Sequence, residues 1–274
     1  MGDLLTRPLG EITALVEGAS GPGRDLGDLV PLPPTDGLME VWAAGVTYQR
    51  SREARTEEST QADAYTAVYD AKRPELFFKS VPWRVVTDGE PIAVREDSGL
   101  DVPEAELALV LNAYAEVVGY TVCDDVSSRT IEGENPLYLP QAKVYAGSCA
   151  LAAGVRPAWE VADPNDLAVS LTVERDGGVV WEGHTSTARL HRTFADLVEH
   201  LFREAPFPQG VILATGTGIV PEMSFTLRPG DRVTMEVAEV GHLSNPVVAG
   251  KDAMSWLVAA ATDPRERASV RLRR

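Results

Sequence analysis

The sequence predicts a β-rich α+β fold, and three observations carry that expectation. From residue 76 onward, short runs rich in Val, Leu, Ile and Thr are separated by Gly- and Pro-containing turns, the pattern of successive strands. One segment alone, 193–204, has a clear helical period. Strands do not alternate with helices, as a doubly wound parallel sheet requires.

Taken in order, residues 4–16 read as a helix, and 18–36, rich in Gly, Pro and Asp, as loop. Residues 41–46 form a candidate buried strand. The following stretch, 50–70, is dense in Arg, Glu, Ala and Gln and favours a mostly solvated helix. A long polar segment leaving a strand is also a common form of active-site lid. Residues 106–112 and 117–122 read as adjacent strands, and 168–175 and 179–184 as a hairpin around Asp176-Gly177-Gly178. In 193–204, Phe194, Leu197, Val198, Leu201 and Phe202 share one helical face, and Thr193 with Asp196 can cap its start. Strands are expected at 211–214 and 232–240, and a last helix from about Asp252. The chain divides into a small N-terminal domain over 1–70, lid included, and a larger domain over 71–274.

Charge narrows the function. With 25 basic against 41 acidic residues the net charge is -16, which disfavours nucleic acid and anionic membranes as partners. An anionic small molecule remains compatible, because a bound divalent cation reverses the local sign. The two cysteines, Cys123 and Cys149, lack metal-ligand spacing and suit a reducing cytoplasm as small buried hydrophobes. No signal peptide or run long enough to span a membrane is visible, and the short myristoylation-like match at residues 1–6 has no second membrane signal beside it.

The most informative residues are acidic. Glu104 and Glu106 lie two apart at the mouth of a strand, so they share a face with Ala108 and Val110, while Ala105, Leu107, Leu109 and Leu111 share the other. Both faces turn apolar, so the strand runs toward the core. Paired carboxylates there cost several kcal/mol unless a cation or proton neutralises them. The bland alternative is two exposed glutamates at a strand start. Asp124 and Asp125 end the neighbouring strand, and Asp125 can return beside the glutamates to form an all-oxygen site suited to Mg²⁺ or Mn²⁺.

Gly45-Val46-Thr47-Tyr48, Leu76-Phe77-Phe78-Lys79, Glu104-Ala105-Glu106-Leu107, the 119–129 segment, Lys143, Thr215-Gly216-Thr217-Gly218, Pro229-Gly230-Asp231 and Gly241-His242-Leu243, in that order, resemble the fumarylacetoacetate hydrolase superfamily. The resemblance implies a mixed β-sandwich roll behind a small N-terminal domain. It also implies Mg²⁺ (Mn²⁺ being possible) bound by Glu104, Glu106 and Asp125, and a homodimer or homotetramer.

Within the superfamily, the 47–55 segment and the run from Glu132 to Lys143 look most like the 2-keto-3-deoxy-pentonate dehydratases, which act on 2-keto-3-deoxy-arabinonate or -xylonate and give 2-oxoglutarate semialdehyde. The hydrolases of the superfamily carry a His and a following Glu where this chain has Ser51 and Ala54. By this resemblance, a 2-oxo acid substrate reacts through an enolate at the bound metal. Lys143 stabilises its charge or shuttles a proton, Glu75 is the candidate acid/base, and Thr217 is a donor to the substrate carboxylate. Tyr48, Arg50, Arg52 and Gln141 are candidate substrate contacts. Ordinary surface roles are the rival account of these side chains. His184, His191, His200 and His242 lie far along the chain and suit structural or surface roles. The rival functions are hydrolysis, isomerisation or decarboxylation of acylpyruvates or related 2-oxo acids, and non-enzymatic 2-oxo acid binding.

Overall fold

Strand β5 (Ala105–Leu111) is buried on both faces, and that organises the molecule. Its Ala105, Leu107, Leu109 and Leu111 enter one hydrophobic cluster, and Ala108 and Val110 enter a second on the opposite side, as alternation along a strand requires. The computed structural model describes the chain except residues 22, 24–28, 59–66 and 272–274, and except the side chains of 55, 57 and 58.

β5 lies inside a seven-stranded sheet. Antiparallel to it run β6 (Val117–Asp125) on one side and β12 (Val211–Ala214) on the other. Beyond β12 come β1 (Glu40–Gly45), parallel to it, and then β2 (Glu75–Ser80). Beyond β6 come β8 (Cys149–Leu151) and β9 (Arg156–Pro157). A second sheet has the order β11 (Gly178–Ser186), β10 (Ala168–Arg175), β13 (Arg232–Val237), β14 (Gly241–Ala249), β3 (Ile92–Val94). Its Leu171, Val173, Val233 and Met235 share a cluster with Leu107 and Leu109, so the two sheets form a sandwich. Each Leu or Val withdrawn from water this way contributes roughly 1.5–3 kcal/mol. The β-rich α+β expectation is met.

Local chemistry sets the details. The helix expected over 4–16 is two helices, α1 (Gly2–Leu5) and α2 (Leu9–Glu17), because Pro8 disfavours helical backbone in the residue before it and instead caps the second. Leu5 and Ile12 cover the outer face of the first sheet. The β10–β11 hairpin turns through Asp176 (φ 52°) and Gly177 (φ 79°), the pair of positive φ values that a tight two-residue turn demands. Helix α6 (Phe194–Phe202) starts where expected, with Thr193 Oγ1 accepting from Asp196 N at 3.1 Å. The strand expected over 232–240 ends at Val237, and β14 was not anticipated, because Pro246 inside it argues against a strand. Pro246 is tolerated where β14 passes from pairing with β13 to pairing with β3. At the C-terminus, α7 (Trp256–Ala260) and α8 (Glu266–Arg271) follow, and Arg267 and Arg271 hold the buried Glu90 at 2.7 and 2.8 Å.

The expected boundary at residue 70 falls between β1 and β2, which are hydrogen-bonded to each other in one sheet. Helix α3 (Gln49–Glu58) supplies the described start of the expected lid; residues 59–66 of that segment lie outside the described residues. Among the described residues no helix is long and apolar enough to cross a membrane.

A two-stranded ribbon, β4 (Asp101–Val102) with β7 (Ser127–Ser128), carries a measurable penalty. Asp101 is 2% exposed, its Oδ1 has no hydrogen-bond partner, and burial pushes its carboxyl up to about 6. A raised carboxyl favours the fold at acidic pH and loses that contribution as pH rises through about 6. Asp101→Asn is therefore expected to be more stable than the parent at pH 7, by about 1–3 kcal/mol, and to show a flatter stability profile between pH 4 and 6 in urea titrations. An unchanged profile would place the proton elsewhere.

Candidate metal and catalytic site

Three carboxylates meet where β5 and β6 open at the edge of the sandwich. Glu106 projects from the face of β5 that carries Ala108 and Val110, and Glu104 precedes that strand. Asp125 ends β6 and returns through its backbone N–H to Glu104 O at 3.1 Å. All three are at most 4% exposed, and each offers an oxygen within 4.8 Å of the others. The alternative of two exposed glutamates is thereby excluded.

Cations and one amide surround the trio. Arg129 Nη2 lies 2.7 Å from Glu104 Oε1, and Lys143 Nζ lies 2.8 Å from Glu104 Oε2 and 3.1 Å from Asp125 Oδ2. Lys79, itself fully buried, pairs with the other oxygen of Asp125 and donates to Val126 O and Lys143 O. Glu106 Oε2 accepts from Gly216 N at 2.7 Å. Gly216 has φ +91°, and a Cβ there would lie 2.0 Å from Thr47 Oγ1, so this close backbone approach needs glycine. Burial, then Asp125 and Glu104, push the Glu106 carboxyl well above the usual range. Burial and then Glu106 also push the Tyr48 phenol upward.

An all-oxygen, buried, electron-rich trio of this kind fits Mg²⁺ or Mn²⁺, and a cation is what relieves Glu106. The trio, Lys143, Glu75, Ser51, Thr217, Phe77, Glu132 and Leu139 all line one small cavity of about 20 Å³. Among the described residues no histidine lines it.

Residues 40–248 match the fumarylacetoacetate (FAA) hydrolase C-terminal family. The chain belongs to the fumarylacetoacetate hydrolase family. It is 51% identical over 208 residues to a probable 2-keto-3-deoxyxylonate dehydratase of Haloferax volcanii, covering 76% of this chain and 72% of that one. It is 43% identical over 212 residues to the 2-dehydro-3-deoxy-D-arabinonate dehydratase of Saccharolobus solfataricus, covering 76% and 71%. A solved structure of a 2-keto-3-deoxy-D-arabinonate dehydratase complexed with magnesium and 2,5-dioxopentanoate superposes with a TM-score of 0.76 at 35% identity over 89% of both chains.

The family's strand mouth thus brings together six of the ten residues marked from sequence: Glu75, Glu104, Glu106, Asp125, Lys143 and Thr217. Tyr48 is buried near Glu106 but lines an adjoining cleft of about 800 Å³ together with Arg50, His184 and His191. Arg52 stacks on Tyr69 at 4.6 Å, and Arg50 lies near Glu53. Gln141 is exposed, because it sits two residues before Lys143 on α5 (Leu139–Lys143) and therefore on the opposite helical face. Arg50, Arg52 and Gln141 do not line the acidic cavity.

Four side chains of this site went unassigned in the sequence: Lys79, Ser127, Arg129 and Glu132. Lys79 was within reach of the strand period, since Glu75, Phe77 and Lys79 share one face of β2. Ser127 and Arg129 depend on the turn after Asp125, which the strand pattern does not describe. Cys123 and Cys149 are buried and free, in keeping with the packing role expected of them.

Proposed function

We propose that this chain dehydrates a 2-keto-3-deoxy-pentonate of the arabinonate or xylonate type to 2-oxoglutarate semialdehyde, using Mg²⁺ or Mn²⁺ held by Glu104, Glu106 and Asp125. One observation carries it: a buried carboxylate trio, with a lysine and two further carboxyls but no histidine in the same cavity, in a chain 51% identical to a probable dehydratase of this class. The ion, when bound, supplies Lewis acidity and an anchor for the 2-oxo acid head of the substrate. Glu75 removes a proton from C3. Lys143 faces the negative charge that then develops at the C2 oxygen, and Thr217 orients the substrate carboxylate. The 2-oxo acid anion is the partner, which the acidic surface tolerates because a bound divalent cation reverses the sign locally. Assembly as a homodimer or homotetramer in a reducing cytoplasm belongs to the same reading and suits two free buried thiols.

A cavity of about 20 Å³ holds roughly one water, far less than a five-carbon acid needs. Substrate entry therefore moves a wall. Ser51 on α3 forms part of that wall, which gives the start of the 50–70 segment the role of a lid.

Hydrolysis of an acylpyruvate requires an activated water. Ser51, whose hydroxyl donates to Tyr48 O at 2.8 Å, stands where by resemblance the hydrolases carry their histidine, and among the described residues no histidine lines the cavity. After treatment with chelator and return of Mg²⁺, a 2-keto-3-deoxy-pentonate should lose one water and yield an aldehyde, read by mass. Acylpyruvate cleavage should have a kcat/KM at least about 10²-fold lower. Faster cleavage than dehydration would overturn the reaction type and leave the metal site standing.

A further inference from the structure

Five carboxyl groups line the cavity, and the proposed chemistry employs four of them. Glu104, Glu106 and Asp125 belong to the metal, and Glu75 to C3. The fifth, Glu132, is 3% exposed on α4 (Arg129–Glu134). We propose that Glu132 is a second acid/base, acting at C4 and C5 of the substrate; this rests on the dehydratase reading above.

Geometry gives its position. Arg129 and Glu132 are three apart on α4 and so share a face. Arg129 holds Glu104 at 2.7 Å, which fixes that turn of the helix beside the trio. Glu132 stands about 4.5 Å farther along the helix axis, the rise of three residues. Its side chain reaches the same cavity that the trio lines. Glu75 faces the cavity from the sheet, its carboxyl lying against Gly45, whereas Glu132 and Leu139 come from the helical side. Lys143 is not available for the distal task, since its Nζ is fixed by Glu104, Asp125 and Ser127 at 2.8, 3.1 and 2.6 Å.

Proton accounting requires such a group. The Glu75 carboxylate takes a C3 proton, the C4–O bond breaks, and the departing hydroxyl takes a proton from the Glu132 carboxylic acid to leave as water. The organic product at this stage has a C3–C4 double bond and still carries its C5 hydroxyl. Glu132, now a carboxylate, removes a proton from C5, and Glu75 returns its proton to C3. The double bond moves to C4–C5, and this enol ketonises in water to the C5 aldehyde. Both carboxyls end in the protonation state in which they began, with no other reactant consumed.

Glu132→Gln keeps the size and removes the proton. Two readouts separate the roles: aldehyde formation from the 2-keto-3-deoxy-pentonate, and Mg²⁺-dependent exchange of the C3 protons of 2-oxobutyrate in D₂O, a 2-oxo acid with no leaving group. The variant should keep exchange within about threefold while aldehyde formation falls roughly 10²–10³-fold. Glu75→Gln should lose both. Glu132→Asp, which keeps the acid, should recover part of the turnover. Wild-type aldehyde formation in Glu132→Gln, or equal loss of exchange and turnover through misfolding or otherwise, would overturn the role. A wild-type protein that exchanges C3 protons but forms no aldehyde would overturn the dehydratase reading itself, and this inference with it.

Discussion

Glu106→Gln is expected to abolish Mg²⁺-dependent dehydration, by at least about 10³-fold, while making the metal-free protein more stable. The loss follows from removing one of three anionic ligands from a Lewis-acid site whose contribution is several kcal/mol. The gain follows from the cost Glu106 bears in the metal-free fold, where burial and two neighbouring carboxylates oppose its charge. A glutamine keeps an oxygen for Gly216 N, the 2.7 Å bond that orients the side chain. Because the folded carboxyl is raised, its contribution to stability is present at acidic pH and declines as pH climbs above the ordinary value of 4.5. The advantage of the glutamine variant without metal should therefore widen from pH 5 to pH 8. Saturating Mg²⁺ should reverse the order, since only the parent gains about 2.7 kcal/mol at a hundredfold excess over Kd. Thermal melts with and without Mg²⁺ at two pH values read all of this. Equal Mg²⁺ shifts in both proteins would remove Glu106 from the ligand set.

The legible and illegible parts of this site divide along physical lines. Alternation on β5 is local, so the sequence already assigned Glu106 to one face with Ala108 and Val110, and the two hydrophobic clusters bear that out. The return of Asp125 was legible because β5 and β6 are consecutive strands of one antiparallel pair. Lys143 and Thr217 lie far along the chain and came from the order of motifs rather than from any period. Arg52 and Gln141 do not line the acidic cavity, because motif proximity does not specify side-chain direction: two residues along a helix reverse the face, and an aromatic ring beside a guanidinium captures it. The same limit hid β14. Pro246 and five neighbouring polar or small residues give no strand signal, and only pairing with β13 and β3 makes them a strand.

Lys143→Met should lower kcat by about 10²–10³-fold even at saturating Mg²⁺, and the reason lies in what its ammonium faces. Its side chain is 2% exposed, packs 5.5 Å from the Phe77 ring and meets Glu104, Asp125 and Ser127. Two tasks are combined there. Without metal it neutralises carboxylates that are otherwise short of positive charge, and breaking such a buried pair costs about 3–5 kcal/mol. A divalent cation takes over that task, so the destabilisation of the methionine variant should shrink when Mg²⁺ is added. The second task cannot be taken over in the same way. Charge that develops at the C2 oxygen needs a preorganised donor in a water-poor cavity, and loss of one such donor costs about 10²–10³-fold. The two tasks are read by separate measurements: melting temperature with and without Mg²⁺ for the first, kcat and 2-oxobutyrate C3 exchange at saturating Mg²⁺ for the second. Recovery of stability with continued loss of kcat and exchange is the expected pattern. Recovery of kcat together with stability would reduce Lys143 to a charge spacer and return the whole burden of enolate stabilisation to the metal.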